Sequence, residues 1–138
     1  MTQRSRQSSE AKLAFLTGVI SRTAFWGALG VITWMALTPR PPVAAHSPSD
    51  AIQHFVAFSY LTVVMWCAYE RRMTLAQMIA ALFLYGAGIE VIQYFVPNRY
   101  FSLSDLAADA LGITIGAAIV TATNRILERL RHDSTPAV

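Results

Sequence analysis

Polar side chains interrupt the long apolar stretches of this sequence at a few recurring positions. An ionisable group inside an apolar helix is costly, so it usually faces the interior of a helix bundle and marks a functional site. An imidazole or a carboxylate in such a place can act as a general base, and several together can hold a divalent cation. The predicted ligand-binding residues are Asp50, His54, Glu90, Gln93, Arg99, Asp105 and Asp109, and His54 and Glu90 are the candidate catalytic residues.

The spacing of these residues places them on one stripe of each helix that carries them. Asp105, Asp109, Gly112 and Gly116 are separated by four, three and four residues, which keeps them on one helix face. At a rise of 1.5 Å per residue, the inner polar residue of each stripe lies roughly 6 to 9 Å inside the helix end. Small or apolar residues continue inward, and Gly112 and Gly116 form a small-x-x-x-small pattern that predicts close helix packing. The same intervals relate Gly86, Glu90, Gln93 and Pro97, and also Asp50, His54, Ala57 and Leu61.

The composition indicates that the lipid bilayer surrounds these helices. The chain has 138 residues, of which 54% are hydrophobic and 14% charged, and its mean hydropathy is +0.42. This balance is too apolar for a soluble domain of that length, and it excludes a disordered chain or a nucleic-acid-binding module. The single cysteine, Cys67, excludes an internal disulfide.

The apolar stretches predict an all-α integral membrane bundle of four transmembrane helices. A span needs about 20 residues, which three stretches reach, and the first can extend into residues 11–20 if Arg22 snorkels to the membrane surface. We expect a membrane domain over residues 13–127, a disordered cytoplasmic tail over 1–12 and a basic cytoplasmic tail over 128–138. The four stretches run from Ala24 to Leu37, Ala51 to Tyr69, Leu75 to Val96 and Leu103 to Thr123.

Helix caps and basic residues predict the boundaries and the orientation of the spans. Thr74 with Gln77, and Ser102 with Asp105, have the spacing of a capping box, and the segment 47–50 offers a third N-cap. Of the eleven basic residues, all but Arg40 and Arg99 flank what would be one face of the membrane. The positive-inside rule therefore predicts that both termini are cytoplasmic and that the polar residues lie toward the outer face of the cell (inner) membrane. An alternative is that the first span is a signal peptide cleaved near residues 43–45.

Taken in order, the polar residues resemble those of the VanZ-like family of small membrane proteins. That family's pattern has an acid shortly before a His-Phe pair, a Glu-x-x-Gln pair followed by Phe and Pro, an Arg, an Asp and a Gly-x-x-x-Gly. Two positions depart from it, because Asp109 stands where the family usually has Asn and Ala51 where a Lys is common. A role that needs a neutral amide at position 109 therefore does not carry over. The matching residues are Asp50, His54, Phe55, Glu90, Gln93, Phe95, Pro97, Arg99, Asp105, Gly112 and Gly116.

The resemblance implies an integral membrane protein whose best-known relative is linked to resistance to the glycopeptide teicoplanin. Three functional hypotheses remain open. The favoured one is a noncatalytic protein that binds a polar or lipid-linked envelope component, with Arg99 available for a phosphate or carboxylate. The second is an intramembrane hydrolase or transferase acting on a lipid-linked substrate, and the third is a structural subunit of a membrane complex.

The expected partners follow from these hypotheses. They are membrane lipids and a lipid-linked cell-wall precursor or a glycopeptide. The chain can also associate with further copies of itself or with other subunits of a membrane complex, and no nucleic acid is expected. We assign no cofactor and no metal from the sequence. The set His54, Glu90, Asp105 and Asp109 has the donor types for a divalent cation, but its members come from three different helices.

Overall fold

The computed structural model describes residues 3–39 and 48–133, and within these ranges the chain forms helices and connecting turns without any strand. Each of the four helices is long and apolar enough to cross a membrane, which confirms the predicted all-α architecture of four spans. The helices are α1 (Gln3–Leu37), α2 (Pro48–Tyr69), α3 (Leu75–Gln93) and α4 (Leu103–Asp133).

The first helix begins at Gln3, well before the short apolar stretch predicted from Ala24 to Leu37. It passes through Arg22 without a break, and its segment Gln7–Leu37 has the length and hydropathy of a membrane span. The domain boundaries predicted at residues 12/13 and 127/128 fall inside α1 and α4 and coincide with no break in either helix. The alternative cleavage site at residues 43–45, Arg40 and the capping residue Ser47 lie outside the described residues.

Local capping interactions start the last two helices. At α3 the predicted capping box is present, because the Thr74 hydroxyl accepts from the Gln77 amide and the Gln77 side chain accepts from the Thr74 amide. At α4 the Ser102 hydroxyl accepts from the Asp105 amide at 3.2 Å. These contacts satisfy amide donors that a helix N-terminus otherwise leaves without partners.

Helix α2 is central, since it packs against each of the other three helices and most extensively against α4. The close approach of α4 depends on two glycines. A Cβ atom on Gly112 would lie 2.5 Å from the carbonyl oxygen of Phe55, and one on Gly116 would lie 2.6 Å from the Cβ of Thr62. Side chains of all four helices complete the apolar core around this contact: Phe25, Phe58, Leu61, Met65, Met78, Leu82 and Ile113.

The predicted polar residues and many of the arginines occupy opposite ends of the bundle. The polar residues lie where α1 and α3 end and where α2 and α4 begin. At the other end, the Arg22 guanidinium lies 5.9 Å from the centre of the Tyr69 ring, and Arg71 and Arg72 form the turn that joins α2 to α3. Between the two ends, large apolar side chains such as Trp34 and Leu84 are exposed on the outside of the bundle, as expected for contact with lipid tails.

Candidate functional site

His54 and Asp109 form a hydrogen-bonded pair between α2 and α4. The imidazole Nδ1 lies 2.8 Å from Asp109 Oδ1, and the Asp109 side chain is fully buried while His54 is partly accessible. The partner of His54 is therefore the carboxylate of Asp109 on α4. An ionised carboxylate accepts only, so the pair places the imidazole proton on Nδ1 and leaves Nε2 as the acceptor or ligand atom.

The Glu90 side chain on α3 contacts Ser102, the residue immediately before α4. Its Oε2 accepts from the backbone amide of Ser102 at 2.8 Å, and the whole side chain is buried. In a complete capping box the N3 side chain accepts from this amide. Here Glu90 accepts from it, although Asp105 occupies the N3 position. Asn98, in the left-handed region at φ 58°, turns the chain between the two helices, a conformation that asparagine tolerates better than most residues.

Three helices thus bring ionisable groups to one point. One donor atom from each of His54, Glu90 and Asp105 lies within 4.8 Å of the other two. Together with Asp109, which holds the imidazole, these residues form what we call the carboxylate–histidine cluster. The cluster contains three carboxyl groups and one imidazole, so its charge balance suits a cation or a group that donates hydrogen bonds.

Two carboxylate oxygens of this cluster are buried and have no hydrogen-bond partner among the described residues. They are Oε1 of Glu90 and Oδ2 of Asp109. Asp109 Oδ2 lies against α3 at Gly86, where a Cβ atom would be only 2.5 Å away, so this glycine makes the space that the carboxylate occupies. A buried polar atom without a partner is unusual and calls for a specific explanation, such as a bound ion or ligand.

Gln93 and Arg99 contact the end of α1. The Gln93 Nε2 donates to the Ala36 carbonyl at 3.0 Å, and the Arg99 guanidinium donates to the carbonyls of Met35 at 2.6 Å and Thr38 at 3.2 Å. The Met35 and Ala36 carbonyls belong to the last turn of α1, where the oxygens accept no hydrogen bond within the helix, and Thr38 directly follows that turn. Both side chains therefore join α1 to α3 and to the turn that follows α3.

A mostly apolar groove extends from the cluster along α1 and α2. It has a volume of about 710 Å³, and His54 and Arg99 contribute to its polar end. From Ile52 to Tyr60 it follows α2 for about 12 Å at 1.5 Å per residue. We call it the α1–α2 groove; its apolar walls include Ile32, Met35, Ala36, Ile52, Val56 and Tyr60.

Of the seven predicted ligand-binding residues, four form the cluster, and Gln93 and Arg99 contact the end of α1. Asp50 lies one helical turn before His54, in the first turn of α2. Sequence reasoning missed the Ser102 amide as the partner of Glu90, and it treated Gly86 only as part of a stripe. The spacing of Gly86, four residues before Glu90, was the signal that this glycine borders the same site.

The fold and this site define a polytopic helical membrane protein with an intramembrane polar cluster at one end of the bundle. Comparison with known families is more specific: the chain matches the VanZ/LLP1 family over residues 3–126, and it belongs to that family. It is also 28% identical over 105 residues to an uncharacterized protein of Schizosaccharomyces pombe. That match covers 73% of this chain and 63% of the relative, so the chain spans less than two thirds of the relative's length. No solved structure matches it.

Proposed function

We propose that this protein binds an amphiphile within the membrane, a lipid or a lipid-linked envelope component. The polar headgroup of this amphiphile contacts the carboxylate–histidine cluster, and the apolar chain of the amphiphile occupies the α1–α2 groove. The observation that carries the proposal is the continuity of the two features, because His54 belongs to the cluster and also lines the groove. A site with a few convergent polar groups beside an apolar cavity is typical of small-molecule recognition.

The chemistry of the cluster bears on which headgroup would bind. Three carboxyl groups repel a bare phosphate, and the Arg99 guanidinium already donates to Met35 and Thr38. A headgroup that contacts the cluster directly would therefore be a hydrogen-bond donor, such as a sugar or an amine. An anionic headgroup would need a cation between itself and the carboxylates.

A groove-filling substitution tests the proposal directly. Val56 lines the α1–α2 groove and is 56% exposed, whereas Leu84 on α3 is 71% exposed and does not line it. We expect Val56→Trp to reduce labelling by a photoactivatable acyl-chain lipid in liposomes, because the indole fills the groove. Leu84→Trp serves as the matched control and should label like the parent chain. Equal labelling of both variants would contradict the proposed groove occupant.

The distribution of basic residues supports an outer location for the cluster. Arg22, Arg71 and Arg72 lie at the opposite end of the bundle, which the positive-inside rule assigns to the cytoplasm. In a Cys67→Ala background, the thiol introduced by Ser104→Cys should react with a membrane-impermeant maleimide in intact cells. The thiol introduced by Arg71→Cys should react only after permeabilisation, and the reverse pattern would invert the topology.

Teicoplanin resistance is the cellular outcome that the family resemblance suggests for such binding. Expression in a susceptible strain should raise the inhibitory concentration of teicoplanin, because a bound envelope precursor is masked or rearranged. His54→Ala and Glu90→Gln should remove this effect at unchanged membrane expression. Resistance that persists in both variants would instead support the structural-subunit hypothesis.

The His54–Asp109 pair favours a second candidate function, hydrolysis of a lipid-linked substrate. An imidazole oriented by a buried carboxylate is the arrangement of a general base. Hydrolysis of a phosphate ester at this cluster would need a cation between the phosphate and the carboxylates. The water oxygen then bonds to phosphorus as the bond from phosphorus to the alcohol oxygen breaks, and His54 passes the water proton to that alcohol oxygen. Purified protein should then release phosphate or alcohol from lipid phosphates, and Asp109→Asn should reduce kcat more than it changes KM. Lipid binding without turnover across a broad panel would leave the noncatalytic function.

A further inference from the structure

The carboxylate–histidine cluster has the donor set of a metal site. His54, Glu90 and Asp105 come from three helices, yet one donor atom of each lies within 4.8 Å of the others. Two ligands at 2.0 to 2.2 Å from one tetrahedral Zn²⁺ ion are about 3.3 to 3.6 Å apart. The three donors therefore need to approach one another by at most about 1.5 Å to share one ion, a shift that side-chain rotation can supply.

The burial of Glu90 is an independent indication of a ligand. Its side chain is 0% exposed, its Oε2 accepts from the Ser102 amide, and its Oε1 has no partner within residues 3–39 and 48–133. A carboxylate oxygen that is desolvated and left unpaired is strongly unfavourable in an apolar environment. Coordination of a cation by this oxygen removes that cost, while the Ser102 amide holds the other oxygen in place.

Asp109 completes the arrangement from behind the imidazole. A histidine that ligates a metal usually donates its other ring N–H to a carboxylate, which sets its tautomer and orientation. Asp109 Oδ1, 2.8 Å from His54 Nδ1, is such a carboxylate, and it leaves Nε2 to ligate. The space at Gly86 allows the Asp109 carboxylate to be buried against α3 in this position.

We propose that His54, Glu90 and Asp105 bind one divalent transition-metal cation and that Asp109 is a positioning residue for His54. One imidazole with two carboxylates suits Mn²⁺ or Zn²⁺, whereas Ca²⁺ prefers sites made only of oxygen ligands and Cu⁺ prefers sulfur. Three protein ligands leave coordination positions for water or for an anionic headgroup. The metal site stands on the protein residues alone and does not depend on the proposed lipid binding.

Direct metal binding to the full chain tests this proposal. Protein purified in detergent, with any polyhistidine tag removed and residual metal stripped with EDTA, is titrated with Mn²⁺ and followed by electron paramagnetic resonance. Bound Zn²⁺ is counted by elemental analysis after gel filtration. We expect one equivalent of metal per chain, and loss of that equivalent in both Glu90→Gln and Asp105→Asn.

The positioning role of Asp109 predicts a graded effect. Asp109→Asn should weaken metal affinity by about 10- to 100-fold, the usual result of removing such an outer partner. Glu128→Gln, a substitution of an exposed acid on the same helix, should leave affinity unchanged. Helicity and elution volume should match the parent chain in every variant, and Zn²⁺ should raise the Tm of the parent chain but not that of Asp105→Asn.

Two results would overturn the proposal. One is the failure of the folded parent chain to bind either metal at micromolar concentrations. The other is binding that persists in Glu90→Gln and Asp105→Asn, which would mean an adventitious ion only. Lipid labelling through the α1–α2 groove is measured separately, so loss of the metal site and loss of the groove occupant are distinguishable.

Discussion

Substitution of Gly112 by alanine tests the α2–α4 contact on which the position of the cluster depends. The added Cβ would lie 2.5 Å from the carbonyl oxygen of Phe55, a backbone atom that cannot rotate away. Restoring an ordinary separation of about 3.5 Å requires the two helices to move apart by about 1 Å. Overpacking of this kind costs about 1 to 3 kcal/mol, and the rigidity of the contact favours the upper part of that range.

A matched alanine substitution isolates this packing cost. At Gly88 on α3 and Gly30 on α1 an added Cβ would meet open space, because no described atom outside the glycine's own stretch of helix lies within 4 Å of it. Each substitution in a helix gains about 1 kcal/mol from the higher helix propensity of alanine. The difference between Gly112→Ala and Gly88→Ala therefore cancels the propensity gain and leaves the packing cost, about 1 to 3 kcal/mol.

Reversible unfolding in mixed micelles provides the assay. Increasing fractions of SDS unfold the protein, and helicity by circular dichroism reports the free energy of unfolding of each variant. We expect Gly112→Ala to be less stable than Gly88→Ala by that amount, and Gly116→Ala to behave like Gly112→Ala because its Cβ would lie 2.8 Å from the Ser59 carbonyl oxygen. Equal stability of the Gly112 and Gly88 variants would refute the described separation of α2 and α4.

Three further predictions concern other contacts. Thr74→Ala removes the side-chain half of the α3 capping box, so the free energy of unfolding in the same SDS titration should fall by about 1 kcal/mol, whereas Thr114→Ala should change it much less. Gly86→Ala places a Cβ 2.5 Å from Asp109 Oδ2, so it should weaken Mn²⁺ binding more than Gly88→Ala does. The affinities are measured by Mn²⁺ titration followed by electron paramagnetic resonance, and equal affinities would contradict the role given to Gly86. Gln93→Leu leaves the Ala36 carbonyl without its donor, so hydrogen exchange of the last turn of α1 should quicken while that of α3 stays unchanged.

The helices could be predicted from the sequence because their signals are local. Apolar stretches of sufficient length and the Thr74–Gln77 spacing depend only on neighbouring residues, and the structure confirms both. The four-residue register of Asp105 and Asp109, together with the helix ends, was enough to expect polar groups from three helices at a similar depth. Helix register fixes depth and face but leaves open which side chain meets which partner.

The side-chain partners could not be predicted, because they depend on helix rotation and on one loop conformation. His54 bonds to Asp109 and not to Glu90 since α4 approaches α2 more closely than α3 does at this level, through the glycine contact at Gly112. Glu90 meets the Ser102 amide because the chain turns back at Asn98. Nothing in a single sequence specifies these long-range placements.

The contacts of Gln93 and Arg99 indicate that some of the predicted ligand-binding residues position α1, whereas others face the bound headgroup. Helix α1 is the least buried of the described helices, yet it forms one wall of the α1–α2 groove. Its last carbonyls would be costly to leave unpaired at membrane depth, and the donors that satisfy them come from Gln93 and Arg99. These two side chains therefore set the position of the groove wall, while the cluster itself presents the groups that meet a headgroup. Substitutions at Gln93 or Arg99 should then change which acyl chains the groove accepts, whereas substitutions at His54 or Glu90 should change which headgroups bind.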